Sequence, residues 1–91
     1  MNIHELSAKI TEHRRKGLEL LRESSDLLKL SRGVPINSSE RLEILRRMSA
    51  LDHEAFEEFA KAIKFERELI RRQRELSQEM LTSVRNVRAN I

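Results

Sequence analysis

Three histidines and a row of arginines are the residues with chemistry to offer. His53-Glu54-Ala55-Phe56-Glu57 opens like the helical zinc-protease motif, in which two His four residues apart share one helix face. Glu57 stands where the second His is required, so the pair of ligands is incomplete. Glu-x-x-His, which supplies di-iron sites in helical bundles, does not occur. There is no Cys, hence no thiolate ligand, thiol nucleophile or disulfide. A glycine-rich phosphate loop and a nucleophile elbow are also missing. With no convergent set of titratable groups, the expectation is a protein that is not an enzyme, needs no cofactor or metal, and has no small-molecule substrate.

The second chemical feature is basic. Lys64, Arg67, Arg71 and Arg74 are spaced three, four and three, which puts them on one side of a helix. After Gln78 and Leu81 the row resumes at Arg85 and Arg88, and no acid follows Glu79. Such a row suits an acidic protein surface or nucleic acid. It also suits a plain solvated face partly neutralised by Glu68 and Glu75. The net charge of +3 does not decide among these readings.

These residues need long helices to carry them. Charged residues make up 36% of the chain, with two Gly, one Pro and three aromatic residues, all Phe. That composition fits helices and argues against a turn-rich β-fold. Asn2 with Glu5 has capping-box spacing, and apolar residues follow at Ile3, Leu6, Ile10, Leu20 or Leu21, and Leu27 or Leu28. His13, Gly17 and Ser24 interrupt this stripe, and Gly17 suggests a kink or a close helix crossing. Arg32-Gly33-Val34-Pro35 is a stop, with Gly33 placed for a left-handed C′ conformation. A second helix starts at Asn37 or Ser38; Asn37 with Glu40 has capping-box spacing, with Ile36 as its staple.

Beyond it, Leu42, Leu45, Ser49, Asp52, Phe56, Phe59, Ile63, Glu66, Ile70, Gln73, Ser77, Met80, Val84, Val87 and Ile91 keep an unbroken four-three spacing. Ala55, Ala62, Leu69 and Leu76 widen this seam on one flank. Ser49-Ala50-Leu51-Asp52 has capping spacing and favours a break; the alternative, for which the retained phase argues, is one continuous helix of about 75–80 Å. The expected fold is all-α, an antiparallel helical hairpin or three-helix bundle: a helix over about 3–32, a loop over 33–38, a short helix over about 38–50 and a long one over about 52–89. Residues 1–91 then form a single helical domain. Its apolar stripe is too broad for so short a chain to cover, so self-association is expected to complete it. Glu66, Gln73 and Ser77 put polar groups on the seam and must meet matching groups or lie at its edge. Phe65 lies off the seam, either packing on the first helix across a bend or standing exposed.

Ala50-Leu51-Asp52-His53-Glu54-Ala55-Phe56, followed by a Lys/Glu/Arg/Leu-rich helix, resembles the small bacterial flagellar and type III export chaperones over residues 40–80. The resemblance implies a hairpin that shields an amphipathic segment of a cargo protein, and it carries no ligand residues. The partner expected is therefore a protein helix or a second copy of the chain. Phe56, Phe59, Ile63, Ile70, Met80 and Val84 are its contact candidates. Nucleic acid bound along Lys64, Arg67, Arg71, Arg74, Arg85 and Arg88 is the alternative, and an inert structural coiled coil is a third. No stretch is long and apolar enough to span a bilayer, and the N-terminus does not read as a signal peptide, so a cytoplasmic protein without membrane contact is expected.

Overall fold

A computed structural model describes residues 1–90. Ile91, the expected last position of the seam, lies outside the described residues. Two helices account for nearly all of it: α1 spans Ile3–Ser31 and α2 spans Ser39–Ala89. They pack antiparallel along one another as a hairpin. No helix among the described residues is long and apolar enough to cross a membrane.

The starts of both helices have a local cause. Asn2 is extended, and its Oδ1 accepts the Glu5 amide at 2.8 Å, relieving one of the unpaired donors of the first turn. At α2 the cap is Ser38, not Asn37: the Ser38 hydroxyl oxygen accepts the Arg41 amide at 3.1 Å and donates to the Pro35 carbonyl at 2.8 Å. The stop of α1 also differs from expectation. No described residue has positive φ, so Gly33 is not left-handed. Instead α1 tightens as it ends, through amide bonds of Arg32 to Lys29, Gly33 to Leu30 and Val34 to Ser31, each three residues back. Pro35, which has no amide hydrogen, prevents continuation.

The three-helix alternative is overturned, because α2 runs as one element through Ser49–Asp52. Ser and Asp are only weakly unfavourable inside a helix, and neither Gly nor Pro is there to stop it. The segment over residues 50–56 is thus part of a continuous helix. At 1.5 Å per residue the 29 residues of α1 reach about 43 Å and the 51 residues of α2 about 76 Å. The inequality sets the shape, 80 × 18 × 16 Å.

The face that closes the hairpin is built largely from small residues. On α1 the buried positions are Leu6, Ile10, Gly17, Ser24 and Ser31, the last four recurring every seven residues. On α2 they are Leu51, Ala55 and Ala62. Small side chains at a helix crossing let the backbones approach closely. At Gly17 the approach is tight: a Cβ there would lie 2.7 Å from Cζ of Phe59. The reading of Gly17 as a close crossing is therefore the one realised. Leu6 and Leu51 are the largest side chains fully enclosed, each contributing about 1.5–3 kcal/mol by leaving water.

Two substitutions test this packing. Gly17→Val should destabilise the hairpin by about 1–3 kcal/mol, because Phe59 must be displaced. A double-mutant cycle with Phe59→Ala by thermal denaturation should show the valine costing less once the ring is gone. Ala50→Pro would be harmless at the first turn of a new helix but should cost about 3 kcal/mol or more inside a continuous one.

Candidate functional site

Antiparallel packing brings α1 and α2 together in a single register. His13 meets Glu58, Gly17 meets Phe59, and Arg14 pairs with Glu66. At the open end, Asn2 and Ile3 border a shallow groove with Arg72, Glu75 and Leu76. Glu66, one of the polar seam residues expected to need a matching group, is half-buried and paired with Arg14 of α1.

A covered polar contact between the helices was not anticipated. His13 Nδ1 lies 2.5 Å from Glu58 Oε2, with both side chains largely covered. The imidazole also stacks on Phe65, ring centroids 5.7 Å apart and planes inclined by 11°. Phe65 thus packs on α1 as one of the two readings had it, without a bend in α2. The hydrogen bond from His13 holds the Glu58 carboxyl below the usual carboxylate range; burial opposes this, and Lys61 at 3.3 Å adds to it. His53 takes no part in this cluster: it is exposed and lies 3.1 Å from Glu57, one turn on.

The seam read from the sequence is not the face that closes the hairpin. The closing row on α2 contains Leu51, Ala55, Glu58, Ala62, Phe65, Leu69 and Arg72, all buried or half-buried. Each seam residue stands one position further along, and so about 100° round the helix. Phe59 and Glu66 are half-buried at the edge of the contact, whereas Phe56, Ile63, Ile70, Met80 and Val84 are exposed. Phe56 is 73% exposed, and Ile63 and Ile70 are each 48% exposed, values that mark them as surface rather than core.

The exposed residues share a side of the molecule. Arg14 contacts Glu66, so these two define one edge of the hairpin. Leu21 and Leu28 follow Arg14 at intervals of seven, and Leu18 lies beside them. All three are exposed. On α2, Phe59 precedes Glu66 by seven, and Phe56, Ile63 and Ile70 sit three or four residues away. The result is an apolar face two helices wide. The opposite edge carries Lys9, Lys16 and Glu23 from α1 and Glu54, Lys61, Glu68 and Glu75 from α2.

Past Leu76 the apolar row continues without α1 beside it. Every residue from Gln73 to Asn90 is exposed, including Met80, Val84 and Val87. A single helix of roughly 20 Å therefore projects beyond the hairpin.

The basic row is also exposed, facing away from α1. Arg71 donates to Glu68 at 2.5 Å, and Arg72 donates to the same carboxylate oxygen at 3.3 Å. Those bonds, led by Arg71, lower the Glu68 pKa against some burial. Lys64, Arg67, Arg74, Arg85 and Arg88 have no carboxylate within 4.0 Å among the described residues. No family model, curated protein or solved structure matches the chain.

The Glu58 contact makes stability depend on pH with a definite sign. A carboxyl whose pKa is lower folded than unfolded stabilises above its unfolded value and loses that contribution as pH falls through its folded value. Thermal melts should therefore show the hairpin weakening as acid protonates Glu58, and Glu58→Gln should flatten that part of the profile. An unchanged acid limb in Glu58→Gln would mean that the contact carries no stability.

Proposed function

We propose that this chain is a non-catalytic helical interaction module that receives a helix on its open seam. The observation that supports the reading is the exposure of Phe56, Ile63 and Ile70 beside Leu18 and Leu21, while the hairpin closes on smaller residues. Contiguous apolar surface of this kind is costly to leave in water and marks docking surfaces. An amphipathic helix fits it through anchors spaced three, four and seven residues apart. Within this reading, a chaperone-type role would place a cargo helix on the same face.

A second reading has its own support. Five basic side chains of the row have no acid within 4.0 Å among the described residues, so a phosphate backbone or an acidic protein could take them at little loss. The two readings respond oppositely to salt and to mutation. Helix docking should persist at high salt and fail in Phe56→Asp or Ile70→Asp. Nucleic-acid binding should fall steeply with salt and with Arg71→Ala combined with Arg74→Ala. Phe59→Asp is the poorer probe, because Phe59 packs on Gly17 and its loss damages the hairpin itself. Co-purification of a tagged chain at low and high salt, with an absorbance spectrum of the eluate, separates them. A chain without Trp or Tyr contributes almost nothing near 260–280 nm, so bound nucleic acid is seen directly. Retention that Phe56→Asp and Ile70→Asp leave untouched would refute the docking reading.

A further inference from the structure

We infer that the helix occupying this seam is α2 of a second copy, laid antiparallel so that each projecting end covers the other copy's hairpin. The inference rests on the seam being a docking face and names its occupant. Surface area gives the first argument. The chain exposes 7404 Å², whereas a folded monomer of 10.7 kDa exposes about 5,500 Å². The excess, roughly 1,900 Å² per chain, matches what an obligate homodimer buries, about 2,000–5,000 Å² over both partners. The radius of gyration agrees: 22.5 Å, against about 12 Å for a compact domain of this length.

Charge gives the direction. Residues 52–58 hold Asp52, Glu54, Glu57 and Glu58 with no Lys or Arg, while residues 80–90 hold Arg85 and Arg88 with no acid. A parallel pair would set each block against its own kind. An antiparallel pair centred between Ile70 and Gln73 sets one against the other.

That same centre matches the seam to itself. Phe56 then faces the partner's Val87, Phe59 faces the partner's Val84, and Ile63 faces the partner's Met80. Glu66 falls opposite the partner's Ser77 and Ile70 opposite the partner's Gln73, so the polar residues of the seam gather near the dyad and the fully apolar layers lie at both ends. Sliding the pair one layer the other way would put Phe59 against Ser77 and Ile63 against Gln73. Each projecting end lies beside Leu18 and Leu21 of the other copy, giving a three-helix cross-section where a lone protomer has two.

The absence of native Cys allows a direct test. Ile63→Cys and Met80→Cys chains, mixed under mild oxidation, should give a cross-linked species of about 21 kDa, twice the 10.7 kDa chain. Either variant alone should give far less, because like positions would be roughly 25 Å apart at 1.5 Å per residue. Light scattering should report a dimer for the native chain and loss of that mass for Val87→Asp, a site beyond α1 whose change leaves the hairpin intact. A helical native chain that is monomeric at tens of micromolar overturns the inference, leaving reception of another helix to the salt and variant experiment above. Efficient cross-linking of Ile63→Cys to itself, or a Val87→Asp dimer, also overturns it.

Discussion

Close approach of the two backbones at small residues is the constraint on which the molecule depends. Gly17, Ser24 and Ser31 on one helix and Ala55 and Ala62 on the other form a contact that admits little side-chain volume. A Cβ on residue 17 would lie 2.7 Å from the Phe59 ring, too close to fit without displacing it. The middle of the hairpin closes on small residues, with Leu6, Ile10 and Leu51 enclosed beyond them, and Phe56, Ile63 and Ile70 stay exposed outside this contact. The hairpin and the open seam are thus two results of one packing choice.

The polar contacts refine this arrangement rather than create it. His13, Glu58 and Phe65 form a covered cluster joining the helices across 45 residues of sequence, and Arg14 with Glu66 marks the neighbouring edge. Both contacts need the register that the small residues impose, and they penalise slippage because a shifted pair would leave Glu58 covered without its partner. The remaining ion pairs among the described residues are exposed or half-buried and lie within one helix, such as Glu12 with Lys16 and Glu68 with Arg72. Those contribute to helix stability in small increments and say nothing of how the helices meet.

Much of this was legible in the residues, for identifiable reasons. Caps and stops are local, so Asn2, Gly33 and Pro35 located the first helix and the loop to within a residue or two. The second start was displaced by one residue because Ser38 can also bond the Pro35 carbonyl, a loop contact that spacing does not reveal. Capping spacing at Ser49–Asp52 misled, since the same residue types are tolerated inside a helix whose neighbouring turns are intact. The phase of the seam was readable, but its role was not. Two four-three series run along α2 one residue apart, and apolar volume favours the row with Phe56 and Ile63. The intramolecular contact takes the row with Ala55 and Ala62, with Phe59 of the other row at its edge against Gly17, an outcome that spacing on α2 alone does not decide. The His13 cluster was illegible because no periodicity connects residues so distant in sequence.

The unequal lengths of the two helices carry a consequence for how the chain matures. Contacts nearest the loop join residues few positions apart, and those at the far end join Ile3 to the neighbourhood of Leu76. Closure therefore favours zipping upward from Pro35, each step shortening the loop left for the next. Synthesis runs in the same direction, so the hairpin can be complete while residues 77–90 are still leaving the ribosome. This stretch emerges after the hairpin, and no described part of α1 covers it. Its stickiness thus appears only after the protomer has a shape for it to recognise, a timing that disfavours tangling between half-made chains.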